Sequence, residues 1–273
     1  TLQTKPMRLF STPLSLLVIL LSSISVMAQY PDAQVSDPNY PFYHGVASGD
    51  ALEDRVIIWT RVSAEDAPAN VEVTYTLSTE ADMSTVASTG TFTTDADRDY
   101  TVKMDVTGLQ ADTWYYYQFE AEGGASPIGR TRTLPTALDN PSDFRFALAS
   151  CANYEGGYFN AYGDIAARND LDAVFQVGDY IYEYGGGTYG NGVRTHLPNT
   201  EVITVDEYRA RHSNYKLDQD LAAAHRQYPW YMSWDDHETV NNSYATGAEN
   251  HDPATEGDWI ERRNAALQAY YEW

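Results

Sequence analysis

The chain has 273 residues, 43% of them hydrophobic, which is enough for two domains of ordinary size with real cores. Its 39 acidic residues against 17 basic ones give a formal charge of -22. That balance excludes nucleic acid or an anionic membrane as the main partner, because both require clustered Lys and Arg. A phosphate-bearing substrate would be repelled at long range unless metal cations reversed the field locally.

Residues 1–6 precede the first methionine, Met7, and carry no fold information. Lys5 and Arg8 lead into an apolar run from Leu14 to Leu21, followed by Ser22, Ser23, Ile24 and Ser25 and then by Val26-Met27-Ala28. The order of basic, apolar and small-residue regions predicts a secretory signal peptide over residues 1–28. The apolar run is shorter than the roughly 20 residues a bilayer span needs. No later segment is apolar enough to span, so the expectation is a secreted or periplasmic protein without a stable membrane anchor. The leader has no Arg-Arg pair, which points to the general secretory route.

After a linker over 29–39, residues 40–135 read as an all-β sandwich. Arg55 to Val62, Val71 to Leu77 and Thr113 to Glu120 are rich in β-formers and are separated by Gly and Asp turn signals. No helical period interrupts them. Thr107-Gly108-Leu109 before Thr113-Trp114-Tyr115-Tyr116-Tyr117 resembles the tyrosine-corner region of fibronectin type III domains.

Over 141–273 the pattern changes to strand, helix, strand. Phe144 to Ser150 predicts a strand ending at Cys151, Gly157 to Arg168 a helix, and Leu171 to Val177 a strand ending at Gly178-Asp179. This is a βαβ unit with parallel strands. A helical stretch over Val205 to Arg226 precedes a third strand, Trp230 to Trp234, which ends at Asp235-Asp236-His237-Glu238. Gly185 to Asn199 reads as a long loop beside the site, and Glu256 to Trp273 as an amphipathic helix.

Ligand sites in open α/β sheets lie beyond the carboxyl ends of the strands, where Cys151, Asp179 and Asp236 fall. The lone cysteine of an exported chain is either inert packing or a site thiolate. Asp179 can bridge two cations with its two oxygens, and Tyr182 offers a phenolate suited to ferric iron. Asp236 and His237 follow two tryptophans at another strand end, while Asn241 and Asn242 offer weaker neutral oxygen ligands of the kind calcium accepts.

Taken together, Phe42 to Asp50, Val56 to Arg61, Gly129 to Pro135, Ala149-Ser150-Cys151, Gly178 to Glu183 and Trp234 to Glu238 resemble, in order, the motifs of the PhoD-like alkaline phosphatase and phosphodiesterase family. The resemblance implies a calcineurin-like metallophosphoesterase fold with iron (Fe3+) and calcium (Ca2+). It implies that Cys151, Asp179 and Tyr182 match the iron-ligating positions, with Asp179 bridging to calcium. Asp236 falls where related metallophosphatases place an Asn ligand, and His237 where they place a phosphate-contacting histidine. His237 and Asp179 are then the expected catalytic residues, acting on a phosphate-ester small molecule or polymer by metal-activated oxygen attack.

Two other readings are weighed. A purple-acid-phosphatase-like hydrolase would show Gly-Asn-His where Asp235-Asp236-His237 stands, and a secreted binding protein would have no use for the metal motifs. The family's catalytic domain continues beyond this chain and supplies further ligands. The chain is therefore expected to be a fragment with an incomplete α/β domain, weak metal binding, an exposed sheet edge and little activity. His196, His212, His225 and His251 lie outside the matching motifs and are expected to be surface or core residues.

Overall fold

A computed structural model describes residues 38–64, 66–139 and 143–273; the expected leader and most of the linker lie outside them. The first half forms eight strands: β1 (Val46–Gly49), β2 (Arg55–Arg61), β3 (Val71–Ser78), β4 (Val86–Thr94), β5 (Thr101–Thr107), β6 (Trp114–Ala121), β7 (Gly124–Ala125) and β8 (Gly129–Arg132). Strand β3 buries Val71, Val73, Tyr75 and Leu77 and exposes Glu72, as the period of two predicts. It pairs antiparallel with β4 and β6, and β6 pairs with both β7 and β8.

Facing this sheet is the antiparallel set β5-β2-β1. Val46, Val56, Ile58, Val102 and Val106 meet Val73, Leu77, Tyr115, Tyr117 and Phe119 in one core. Each such side chain contributes about 1.5–3 kcal/mol by leaving water. At the entry to β6, the Gln110 backbone N–H donates to Tyr115 Oη at 2.9 Å, which pins the preceding turn.

The second half runs β9 (Phe146–Ala149), α1 (Asn160–Ala167), β10 (Ala173–Val177), α2 (Val205–Lys216), α3 (Gln219–Gln227), β11 (Pro229–Ser233), β12 (Ser243–Tyr244), β13 (Gly247–Ala248), α4 (Pro253–Glu256) and α5 (Trp259–Glu272). β9, β10 and β11 are parallel neighbours, as the βαβ pattern requires. The stretch expected as one helix over 205–226 is two. Asp218 starts the second, its carboxylate accepting from the N–H groups of Asp220 and Leu221 at 3.0 Å each. Residues 185–199 form no helix or strand.

The two halves share a sheet. β11 pairs parallel with β1, Ser48 opposite Pro229 and Gly49 opposite Trp230, giving the order β5-β2-β1-β11-β10-β9. The pairing closes an edge of β1 that would otherwise present unpaired backbone. At the far end β9 is the edge strand, with Phe146 and Leu148 52% and 65% exposed. Helices α2 and α5 brace the joint from the first half's side: Trp59 Nε1 donates to the Glu272 carbonyl at 2.8 Å, and Arg209 grips the Glu272 carboxylate at 2.7 and 2.8 Å.

Candidate metal centre

Three parallel strands end on the same side of the sheet, and each delivers one segment of the site. Cys151 follows β9, Gly178-Asp179 follows β10 and Asp235 to Glu238 follow β11. The segments are stitched by backbone: Cys151 N–H donates to the Gly178 carbonyl at 3.2 Å and Ala152 N–H to the Asp179 carbonyl at 2.8 Å. Gly178 is required at the crossing, since it has φ +105° and a Cβ there would stand 2.5 Å from Asp235 Cβ. Cys151 and Asp179 hold left-handed φ values of 54° and 55°, a conformation non-glycine residues avoid and one that concentrates at functional sites.

Asp179, Asp236 and His237 present ligand atoms that all lie within 4.8 Å of one another. Asp179 is buried; its Oδ2 accepts from Tyr182 Oη at 3.2 Å, while Oδ1 is buried with no hydrogen-bond partner. The Tyr182 ring lies 4.2 Å from the His237 ring, centroid to centroid. The Cys151 thiol, on an exposed residue, is close enough to interact with both Asp179 and Tyr182.

Burial lifts the Asp179 carboxyl above its ordinary value; His237, Cys151 and Tyr182 pull it back, and the Asp236 charge pushes it up. Burial raises the Tyr182 phenol too, with the charge of Asp179 acting in the same direction. Burial works against a charged His237, but hydrogen bonding and charge from Glu183, with Asp179 and Asp236 behind it, hold its pKa above the usual value. The orphaned Asp179 oxygen and this donor set fit a cation, which would relieve the burial cost of the carboxylate and the phenolate together.

Sequence reasoning left Glu183, Glu238 and Arg211 without roles. Glu183 is fully buried, accepts from His237 Nδ1 at 2.8 Å, and accepts from Asn241 N–H at 2.7 Å. Glu238 ties two segments together by accepting from Tyr180 N–H at 2.6 Å and Asp235 N–H at 2.9 Å. Arg211, also fully buried, donates to the carbonyls of Tyr182, Tyr184, Leu197, Pro198 and Thr200 and so fixes the long loop against the site. The available signal was position: Glu183 and Glu238 each end a motif already tied to a strand end.

Asn241 and Asn242 do not join the group of three. Their backbone N–H groups serve Glu183 and Asp236, and their side-chain amides donate to Asn250 and Glu249 beside β13. His196 and His225 hydrogen-bond to Tyr215 and Tyr180 at 3.0 and 2.8 Å, both buried and away from the cluster. His251 pairs with Glu256 at 3.1 Å, and His212 is buried in the interior.

Carboxylates, an imidazole, a phenol and a thiol gathered where parallel strands end form a candidate metal site in an α/β half joined to a β-sandwich. The chain belongs to the PhoD-like phosphatase family: residues 27–135 match the family model for the PhoD-like phosphatase N-terminal domain and residues 146–273 the model for PhoD-like phosphatase. It is 40% identical over 260 residues to alkaline phosphatase D of Bacillus subtilis (strain 168), covering 91% of this chain and 43% of that protein. The solved structure of PhoD matches it with a TM-score of 0.80 and 40% identity, over 88% of this chain and 47% of the other. The chain thus spans less than half the length of these relatives.

Proposed function

We propose that this chain supplies one wall of the active centre of a secreted, metal-dependent phosphoesterase of the alkaline phosphatase or phosphodiesterase type. The observation that carries the reading is the Asp179, Asp236 and His237 cluster, with its orphaned carboxylate oxygen, in a PhoD-like chain. In this reading the second half is the start of a calcineurin-like metallophosphoesterase domain. The first is a fibronectin type III-like sandwich, for which the Gln110 to Tyr115 hydrogen bond supplies the corner.

Cys151, Asp179 and Tyr182 would hold Fe3+, and Asp179 with Asp236 would hold Ca2+. When bound, these cations supply Lewis-acid polarisation of a phosphoryl oxygen and activation of the attacking oxygen. Asp179 would be the carboxylate common to both cations, and its orphaned Oδ1 is the oxygen left free for one. Glu183 holds His237 Nδ1 and so turns the imidazole into an oriented donor for a phosphate oxygen through its other nitrogen. Tyr182 packs against that imidazole and limits its rotation. The carbonyl grip of Arg211 keeps the loop that carries Tyr182 and Glu183 in place.

The test is elemental analysis of the protein extended to the length of its relatives, alongside hydrolysis of a chromogenic phosphomonoester and phosphodiester with and without chelator. Iron and calcium with chelator-sensitive hydrolysis are expected. A metal-free protein without hydrolysis would overturn the reading.

A further inference from the structure

Beside the candidate metal centre, tyrosines lead away from His237 toward the surface. The Tyr182 ring lies 4.2 Å from the His237 ring, centroid to centroid, and the Tyr184 ring lies 5.3 Å from it, edge to face. Tyr184 in turn meets Tyr189, at 4.7 Å. Tyr184 is buried and Tyr189 is 62% exposed, so the row starts at the ligand group and ends in solvent.

A tyrosine on an exposed loop ordinarily swings freely, but this one is held. Glu155, 1% exposed, accepts from Gly187 N–H with both oxygens, at 3.0 and 2.9 Å, and from His196 N–H at 3.0 Å. Its own carbonyl accepts from Asn191 N–H at 3.2 Å. The backbone is thus fixed on either side of Tyr189, and Gly190 passes so close that a Cβ there would stand 2.9 Å from Glu155 Oε2. Arg194 locks the loop further on, donating to the Tyr154 carbonyl at 2.5 Å and to Asp218 at 2.6 Å. A carboxylate is costly to bury unless it is hydrogen-bonded; here its partners are the backbone groups that place one exposed ring. All of these residues lie between Tyr154 and His237, and none belongs to the helices that end the chain.

The chemistry of the row limits what it can receive. Residues 185–193 carry no charged side chain, and Arg194 is committed to Asp218. Burial raises the Tyr184 phenol, and the charges of Glu183 and Asp236 push it the same way. An anionic organic group is disfavoured beside those acids, whereas a neutral planar ring gains by packing on the tyrosine rings.

We propose that Tyr189, backed by Tyr184, forms the subsite for the organic group of the ester and selects esters whose alcohol carries a neutral aromatic ring. The inference rests on the phosphoesterase reading above, with the phosphate at the metal cluster and His237. Tyr189 determines specificity in it and takes no part in the chemistry at phosphorus.

The experiment compares kcat/KM of the full-length, metal-loaded protein for 2-phenylethyl and 2-cyclohexylethyl esters, each offered as the phosphomonoester and as the methyl phosphodiester. The two alcohols are of nearly equal basicity and the saturated ring is the more apolar, so a merely apolar surface would favour the cyclohexyl ester. A preference of roughly three- to tenfold for the phenyl ester is expected, carried by KM. It should fall to about one in Tyr189→Ala and return in Tyr189→Phe. A general disturbance of the centre cancels from this ratio. A ratio near one on the unaltered protein, the result if the rest of the full-length chain covers Tyr189, would overturn the proposal, as would a preference that survives Tyr189→Ala. Failure to hydrolyse any of the esters would instead overturn the phosphoesterase reading, and this subsite with it.

Discussion

The sandwich core and the interior around the candidate metal centre are built from different chemistry. In the first, Val56, Ile58, Val73, Leu77, Val102 and Phe119 are fully buried and uncharged, and their cohesion grows with the area they hide. In the second, Arg211, Arg262, Glu183 and Glu238 are buried as deeply as any aliphatic residue. Each holds backbone or side-chain partners whose positions set the site. An apolar core yields gradually to substitution because its contacts are many and weak. The polar interior fixes geometry more sharply, and a single lost group leaves several others unsatisfied.

The sharpest break should come at the metal cluster. Asp179→Asn, made in the full-length protein, should lower hydrolysis by about a thousandfold and remove metal together with activity; full activity with normal metal content would refute the assignment. Next, Arg211→Met should cost about 3–5 kcal/mol, because five carbonyls lose a shared donor. Leu77→Ala in the sandwich should cost a similar 2–5 kcal/mol. Urea unfolding would find the two alike in stability, whereas metal affinity measured on the folded protein should fall only for Arg211→Met.

A smaller effect is expected for Glu183→Gln, which keeps the volume and removes the charge beside His237. Metal affinity or turnover should drop roughly 10–100-fold, and an unchanged rate would show that Glu183 does not orient the imidazole.

The smallest effect per group is acid sensitivity. Burial depresses the folded-state pKa of His44, His196, His212 and His225, with His196 and His212 brought down to about 3. The unfolded chain then takes up the protons first. Stability present above the unfolded value of about 6.5 is lost as pH falls toward 3, on the order of 2 kcal/mol per histidine between pH 7 and 5. Asp179 and Glu238, raised by burial, contribute in the opposite sense, since their share is lost as pH rises through the acid range. The histidines are more numerous, so urea midpoints should fall from pH 7 to pH 5; an unchanged midpoint would contradict the pairing of burial with neutrality.

The same contrast explains what could be read in advance. Alternation in β3 and the β-rich run of β6 announced the sandwich, and Cys151, Asp179 and Asp236 were visible as strand-end residues. Glu183 and Glu238 were not assigned, because a carboxylate's burial depends on which loop closes over it and no local pattern records that. The helix break was available in Leu217-Asp218, where an Asp two and three residues before Asp220 and Leu221 is a cap, but the continuous helical propensity of 205–226 concealed it. Arg211 belongs to no motif of its own, and only the fold of the loop over 182–200 places carbonyls around its guanidinium. The joining of β1 to β11 has no local signature at all.

That junction also carries a consequence for how the molecule comes into being. Ser48 and Pro229 are partners in one sheet yet lie about 180 residues apart, so a ribosome adding 5–20 residues per second leaves β1 waiting roughly 10–40 s for its neighbour. Through that interval the sandwich can collapse on its own apolar side chains, but one edge of its sheet stays open to any other strand that passes. The nascent first half is therefore the stage most exposed to mispairing, and arrival of the second half is what closes it.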